Sequence, residues 1–156
     1  MIEIDNILSI YDKMKKLNNI ILLDLDGVLI TTVPWESDKM HEDGYSDFNP
    51  VCVTNLNRIL KDTGYDIVLS SMRRTKVDID KMNEYFKDRG VDKEIIAYVP
   101  DYSLEGLRFN RRSEIEKFLD EHEPKNYLII DDDKSLSGAS EEIKDNWIQT
   151  YLMTGI

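Results

Sequence analysis

The chain has 156 residues, the length of one ordinary domain, and its 41% hydrophobic residues with four prolines and seven glycines are typical of a folded globular protein. This composition excludes disordered, collagen-like and low-complexity chains. With 31 acidic and 20 basic residues the formal net charge is −11, which argues against extended coating of nucleic acid and against docking on an anionic membrane.

The cysteine content and the N-terminus bear on the compartment. Cys52 is the only cysteine, so an intramolecular disulfide is excluded and we expect a reducing environment. The longest apolar stretch, residues 20–30, is interrupted by Asp24 and is too short to span a bilayer. Glu3 and Asp5 stand where a signal peptide carries positive charge. We therefore predict a cytoplasmic protein.

Three segments open the chain. Residues 1–19 predict an amphipathic helix, because apolar side chains recur there at spacings of three and four. Residues 20–25 are apolar except for Asp24, which is typical of a strand buried on both faces of a parallel sheet. Residues 31–49 have no periodicity and contain Pro34, so they predict a long loop or a small lid. The apolar positions of the N-terminal helix are Ile4, Ile7, Leu8, Tyr11, Met14 and Leu17.

Helices and strands alternate along the rest of the chain. Asn49 followed by Pro50 is a helix-start signal, and Gly64 ends this helix. Further helices are predicted at residues 77–89 and 113–122, with a short one at 141–144. Further strands are predicted at residues 65–69, 95–99 and 127–130, with an edge strand at 147–152.

This alternation predicts an α/β fold in three layers, in which a Rossmann-like, mostly parallel sheet has helices on both faces. We expect residues 1–156 to form a single domain. In such sheets the ligand lies beyond the carboxyl ends of the strands, where the strand order reverses. The residues that follow each strand are therefore the first candidates for a functional site.

Acidic and hydroxyl residues follow three of the predicted strands. Asp24 and Asp26 project to the same side of the first strand's end, and Gly27 permits a sharp turn behind them. Ser70 follows the second of these strands, and three aspartates at residues 131–133 follow the last. Carboxylates gathered in one cleft repel each other, so we expect a compensating cation. Oxygen ligands of this kind indicate Mg²⁺.

The strand-end segments also carry motifs in a fixed order: DLDGVL at Asp24–Leu29, IVLS at Ile67–Ser70 and LIIDDD at Leu128–Asp133. In this order they resemble the first, second and fourth motifs of the haloacid dehalogenase (HAD) superfamily of phosphotransferases. That resemblance implies a HAD-like fold with a minimal cap, because no segment of the chain is long enough for a large one.

The third motif of the superfamily, a Lys or Arg at the start of a helix, is matched by Arg111 or Arg112, with Arg108 as a weaker alternative. Beyond the motifs, residues 48–74 and 111–133 resemble the small HAD-like domain of Swiss-army-knife RNA-repair proteins. Together with the first motif, the similarity covers most of the chain from residue 20 onward.

The resemblance implies a two-step phosphoryl transfer. Asp24 would attack phosphorus and form an aspartyl-phosphate. Asp26 would protonate the leaving oxygen and later take a proton from the attacking water, with neighbouring acids keeping its carboxyl partly protonated. Mg²⁺ would be held by Asp24, the Asp26 backbone carbonyl and Asp132, with Asp131 as a direct or outer partner.

The remaining implied roles concern the phosphoryl group. The Ser70 hydroxyl and the Ser71 amide would donate hydrogen bonds to its oxygens, and the arginine of the third motif would spread positive charge over it. Arg73 and Arg74 would either contact a second phosphate or lie in a solvated turn. The predicted catalytic residues are Asp24, Asp26, Ser70, Arg111 and Arg112, and the predicted substrate-binding residues are Gly27, Ser71 and Arg73.

Several conspicuous side chains receive no chemical role. His41 and His122 are far apart in the sequence and lack partners at metal-binding spacing. Trp35, Tyr45 and Phe48, in the segment predicted as a lid, are expected to fix that loop rather than to stack on a base.

The leading substrate class is a nucleotide or a nucleic-acid end, and a phosphorylated small molecule is the alternative. An open site suits a phosphate on a nucleic-acid end, which the RNA-repair resemblance favours, whereas the net charge of −11 favours a phosphorylated small molecule. A phospho-accepting receiver domain is disfavoured, because its acid pair precedes an acceptor aspartate on a later strand, whereas here the Asp-x-Asp pair comes first. A HAD-like binding module without turnover is the remaining alternative, and the sequence leaves the oligomeric state undetermined.

Overall fold

A computed structural model describes residues 3–7, 17–105 and 109–156 of the chain. Residues 4–7 are helical. Within the described residues, no helix has the length and apolar character needed to cross a membrane. Most of the predicted N-terminal helix, with Leu8, Tyr11 and Met14, lies outside the described residues, and so does Arg108.

Five parallel strands form one sheet. They are β1 (Asn19–Leu23), β2 (Asp66–Leu69), β3 (Ile95–Tyr98), β4 (Asn126–Asp131) and β5 (Trp147–Gln149). Their order across the sheet is β3-β2-β1-β4-β5, and every neighbouring pair is parallel. The α/β, Rossmann-like prediction is therefore confirmed. The strand order reverses between β1 and β4, which makes the carboxyl ends of these two strands the expected ligand crevice.

Four α-helices connect the strands: α1 (Pro50–Thr63), α2 (Ile79–Asp88), α3 (Arg111–His122) and the short α4 (Glu141–Asp145). The predicted signals at α1 are confirmed. The Asn49 side chain accepts a hydrogen bond from the Val51 N–H, Pro50 occupies the first turn, and Gly64 ends the helix in the left-handed conformation with a φ of 68°.

The sheet is covered on both faces, as expected for three layers. On one face Ile21 and Leu23 pack with apolar side chains of α1 and α2. On the opposite face Ile20 and Leu22 pack with apolar side chains of α3. Since successive side chains of a strand point to opposite faces, a strand that contributes to two cores must be apolar at every position.

Two helix boundaries differ from the predictions because capping side chains set them. Helix α2 begins two residues later than predicted, where the Asp78 carboxylate accepts a hydrogen bond from the Lys81 N–H at 2.9 Å. Helix α3 begins two residues earlier, where the Asn110 side chain accepts from the Ser113 N–H at 2.8 Å. The earlier start makes Arg111 the first residue of α3, next to the strand ends.

The C-terminal segment also differs from its prediction. Strand β5 ends at Gln149, three residues before the predicted end, and a turn follows in which the Gly155 N–H donates to the Tyr151 carbonyl at 2.7 Å. The Ile156 N–H then donates to the Val28 carbonyl at 3.1 Å. The last residues therefore pack beneath the loop that follows β1.

Candidate active site

Three carboxylates meet where the strand order reverses. Asp24 follows β1, Asp131 is the last residue of β4, and Asp132 follows it. One oxygen from each of these side chains lies within 4.8 Å of the others. Asp24 and Asp131 are buried, whereas Asp132 is half-buried. Two Mg²⁺–oxygen bonds of about 2.1 Å place two ligand oxygens about 4 Å apart at most, so a small adjustment lets all three carboxylates share one ion.

Burial and mutual repulsion disfavour ionisation of this acidic cluster. Burial, with the neighbouring Asp131 charge, raises the pKa of Asp24 to about 8, although the positive charge of Arg111 acts in the opposite direction. Burial raises the pKa of Asp131 to about 6, and it also raises the pKa of Asp132. Three carboxylates opposed by one guanidinium leave a deficit of positive charge, which a divalent cation would fill.

Arg111 is the positively charged side chain that faces the carboxylate cluster. Its guanidinium lies 3.2 Å from Asp131 Oδ2 and 3.5 Å from Asp24 Oδ1, and it also donates a hydrogen bond to the Ser70 carbonyl. Only 9% of its side chain is exposed. The first residue of α3 therefore reaches the ends of β1, β2 and β4 at once.

Arg112 points away from this cluster. Its Nε lies 3.0 Å from Glu116 on the surface of α3, and its Nη1 packs so closely on Gly138 that a Cβ there would lie 2.3 Å from it. The structure thus brings Arg111 but not Arg112 to the carboxylates. The sequence alone could not distinguish these two adjacent arginines.

The Ser70 hydroxyl is the neutral donor at the site. Ser70 is 1% exposed, and its Oγ has no hydrogen-bond partner among the residues that the structure describes. A buried hydroxyl without a partner costs free energy that a ligand oxygen can recover. The neighbouring Ser71 side chain has a local role instead, because its Oγ caps a 3₁₀ turn by accepting from the Arg73 N–H at 3.2 Å.

Asp26 lies apart from the three carboxylates and pairs with Arg73. The Arg73 Nε and Nη2 donate to the two Asp26 oxygens, each at 2.9 Å. Half of the Asp26 side chain is exposed. We expected acidic side chains close to Asp26, but they surround Asp24 instead. The charged group next to Asp26 is the guanidinium of Arg73. The spacing of Asp24 and Asp26 could not reveal this pairing, because Arg73 is distant in the sequence.

Residue 27 must be a glycine, because the loop that follows β4 approaches it closely. Its φ is 80°, in the region that favours glycine, and a Cβ at this position would lie 2.2 Å from Asp132 Oδ2. Its N–H donates to the Ile30 carbonyl at 2.8 Å, which closes the turn after β1. The side chain of Asp132 thus occupies the space that Gly27 leaves empty.

Arg74 is buried, so the alternative prediction that it lies in a solvated turn is wrong. Its Nη2 lies 2.6 Å from Glu114 Oε2 in α3, with 2% and 8% of the two side chains exposed. Its other hydrogen bonds go to four backbone carbonyls, those of Ser70, Ser71, Val99 and Pro100, and to the Met72 sulfur at 3.7 Å. Arg74 therefore joins the loop after β2 to the helix that carries Arg111. Glu114 is not predicted from the sequence, because the helical pattern gives no signal for its buried position.

Residues 31–49, which we call the lid segment, form turns and bends with an isolated bridge between Met40 and Ser46. Arg89 of the α2 cap holds this segment, donating to both Asp43 carboxylate oxygens at 2.7 and 2.8 Å and to the Ser46 carbonyl at 3.0 Å. Those hydrogen bonds lower the pKa of Asp43. The lid segment is therefore anchored to the domain at a buried arginine.

The aromatic residues of the lid segment divide into two groups. Tyr45 stacks on Tyr85 with ring centroids 4.2 Å apart, and Phe48 packs edge-on against Phe86 at 5.3 Å. Both contacts fix the loop, as expected. Trp35 is 76% exposed.

The remaining candidates have structural contacts. Asp133 caps the 3₁₀ turn that follows β4, accepting from the Ser135 N–H at 2.9 Å. His122 stacks on Phe118 at the end of α3, and His41 pairs with Asp47 in the lid segment at 3.3 Å. Neither histidine belongs to the carboxylate cluster.

The parallel sheet, with aspartates beyond β1 and β4 and a buried serine beyond β2, defines a HAD-like α/β domain. The sequence matches the family model described as the HAD domain in Swiss Army Knife RNA repair proteins over residues 20–156. The chain therefore belongs to this family, and membership supports a HAD-type phosphatase at the level of the superfamily, which generally uses Mg²⁺. No curated protein matched the sequence.

Proposed function

We propose that the protein is a Mg²⁺-dependent phosphomonoester hydrolase that acts through an aspartyl-phosphate at Asp24, on a nucleotide or a nucleic-acid terminal phosphate. The observation that carries this proposal is the position of Asp24. It combines a buried carboxylate, two further carboxylates within ion-sharing distance and the guanidinium of Arg111 at one strand end.

The carboxylate cluster fits a divalent cation with oxygen ligands. Asp24, Asp132 and Asp131 would hold it, and the Asp26 backbone carbonyl is the further ligand that we infer from the family resemblance. The Asp131 Oδ2 atom is buried and accepts no hydrogen bond among the described residues; its ion pair with Arg111 Nε at 3.2 Å uses one side of the oxygen and leaves a lone pair for a metal ion. When bound, the ion would neutralise the carboxylates and polarise a phosphoryl oxygen.

In the first step an oxygen of Asp24 forms a bond to phosphorus while the bond from phosphorus to the leaving oxygen breaks. Asp24 Oδ1 accepts a hydrogen bond from the Leu25 N–H at 2.8 Å, which fixes the orientation of the carboxylate. In the second step water attacks phosphorus, inorganic phosphate leaves, and Asp24 is restored. Asp26 gives a proton to the leaving oxygen in the first step and takes one from water in the second.

Ser70 and the Ser71 amide donate hydrogen bonds to the phosphoryl oxygens, and Arg111 balances the charge that gathers around them. Arg112 was predicted together with Arg111, and its ion pair with Glu116 supports assigning the third-motif role to Arg111 alone. Gly27 keeps the turn open for Asp132, and Arg73 binds a substrate group on the side of Asp26.

A nucleic-acid end is the leading substrate class, because the family is that of RNA-repair proteins and the chain has a small lid instead of a cap domain. A small phosphorylated metabolite is the second candidate, favoured by the net charge of −11.

The test is hydrolysis of p-nitrophenyl phosphate with Mg²⁺ and with a chelator, by the native protein and by Asp24→Asn. We expect turnover only in the native protein with Mg²⁺. Absence of turnover under every condition would favour a HAD-like binding module. Sugar phosphates, nucleotides and oligonucleotides phosphorylated at either end would then identify the substrate class.

A further inference from the structure

Arg73 joins Asp26 to the lid segment with a full set of hydrogen bonds. Besides its two bonds to Asp26, the guanidinium donates to Asp38 Oδ2 at 2.9 Å, to Ser46 Oγ at 3.1 Å and to the Tyr45 hydroxyl at 3.3 Å. A guanidinium has five N–H donors, and all of these bonds go to groups of the chain itself. Two carboxylates share this one cation.

This pairing turns the carboxylate of Asp26 towards Arg73. Both of its oxygens accept from the guanidinium in a parallel, fork-like arrangement. To exchange a proton with a leaving oxygen, Asp26 must direct one of those oxygens towards the phosphoryl group held at Asp24. The arrangement in the structure is therefore a resting one, and a competing acceptor for Arg73 would release Asp26 from it.

The lid segment has a second anchor besides Arg73. Arg89 holds it through Asp43 and the backbone carbonyls of Tyr45 and Ser46, and Tyr45 stacks on Tyr85. Arg73 can therefore change partners while the lid segment stays attached. Its side chain is 23% exposed, so a ligand in the cleft can reach it from solvent.

We propose, on the basis of the proposed function, that Arg73 determines specificity by exchanging Asp26 for a second anionic group of the substrate, the phosphodiester next to the terminal phosphate. The two non-bridging oxygens of a phosphodiester match the guanidinium fork as the two oxygens of a carboxylate do. The exchange conserves the number of ion pairs and frees Asp26 to face the leaving oxygen. A substrate with a charged neighbouring linkage is then hydrolysed with a higher kcat and a lower KM.

The experiment compares two dinucleotides that carry the same terminal phosphate. One has a natural phosphodiester linkage and the other a neutral methylphosphonate linkage, so that they differ in linkage charge and hardly in size. Both 3′- and 5′-phosphorylated pairs are assayed for phosphate release. Because only the charged linkage releases Asp26 as the proton donor, and a positioned general acid contributes about 10²–10⁴-fold, we expect the charged linkage to raise kcat/KM by about tenfold or more.

The variants are Arg73→Gln and Arg73→Lys, with Arg58→Gln as the control. Arg58 is exposed on α1 and makes none of the site contacts described above. We expect Arg73→Gln to remove the preference for the charged linkage, Arg73→Lys to retain part of it because the charge is kept without the fork, and Arg58→Gln to keep all of it. Thermal melting of each variant verifies its folding, and the ratio between the two substrates is internal to each variant.

Two results would overturn the proposal: a native protein that hydrolyses both dinucleotides equally, or an Arg73→Gln variant with the native preference. Failure of the proposed function has a different signature. In that case the native protein would release no phosphate from any substrate, p-nitrophenyl phosphate included, or Asp24→Asn would remain active, and the specificity proposal would fall with it.

Discussion

Removal of the carboxylate of Glu114 tests whether the buried ion pair with Arg74 holds the site together. In Glu114→Ala the guanidinium of Arg74 keeps its four backbone carbonyl acceptors and loses the one ion-pair partner that it has among the described residues. The uncompensated charge stays buried, because only 2% of the Arg74 side chain is exposed.

The expected cost follows from that geometry. Removing one partner of a buried ion pair costs about 3–5 kcal/mol, and the four remaining acceptors place Glu114→Ala near 3 kcal/mol. For a chain of this length, 1 kcal/mol corresponds to about 2–4 °C in Tm, so we expect Tm to fall by about 6–12 °C. The converse variant Arg74→Met leaves Glu114 and the Val99 and Pro100 carbonyls without the donor that Arg74 supplies, and it is expected to cost about 3–5 kcal/mol.

The assay is urea unfolding followed by circular dichroism, with thermal melting alongside. The matched control is Glu84→Ala, which breaks the exposed ion pair with Lys81 in α2 and is expected to cost less than about 0.5 kcal/mol. The double variant Arg74→Met/Glu114→Leu replaces the pair by apolar groups and is expected to recover much of the loss.

A Glu114→Ala variant no less stable than Glu84→Ala would contradict this prediction, since it would mean that the charge on Arg74 is not buried in solution. A change in the slope of the urea transition would indicate an altered native or denatured state rather than the loss of one pair. Phosphatase activity adds a second readout, because Arg74 and Arg111 both donate to the Ser70 carbonyl.

Gly27→Ala places a Cβ against Asp132, so we expect at least tenfold weaker Mg²⁺ binding by calorimetry, and unaltered affinity would contradict the close approach. Without metal, the raised pKa of Asp24 means that the folded state binds an extra proton between pH 4 and 8, so the free energy of unfolding falls as pH rises through that range. Asp24→Asn has no carboxyl to ionise and should therefore be more stable than the native protein in chelator at pH 8, by at least about 1 kcal/mol. This difference in stability should vanish near pH 4. Arg89→Met should expose the lid segment to limited proteolysis without changing the β1–β4 crevice, whereas an uncut lid would show that Arg89 does not anchor it.

The sequence alone determined the elements and the order of the motifs, because those signals are local. Apolar runs at 20–25 and 127–130 specify strands buried on both faces, Asn49 and Pro50 specify the start of α1, and the positions after the strands are fixed by the chain itself. Since parallel strands place their carboxyl ends at one edge, the sequence predicts that Asp24, Ser70 and Asp132 share one site.

The partners of the charged side chains depend on the tertiary packing, because these pairings join segments that are distant in the sequence. Arg111 and Arg112 are equivalent in the sequence, and only the start of α3 at the Asn110 cap directs the first into the crevice. Arg73 and Arg74 are adjacent, yet one pairs with Asp26 at the cleft mouth and the other is buried against Glu114. A guanidinium binds whichever carboxylate the fold brings within reach, and that depends on the packing of helices on the sheet, which residue spacing along the chain does not specify.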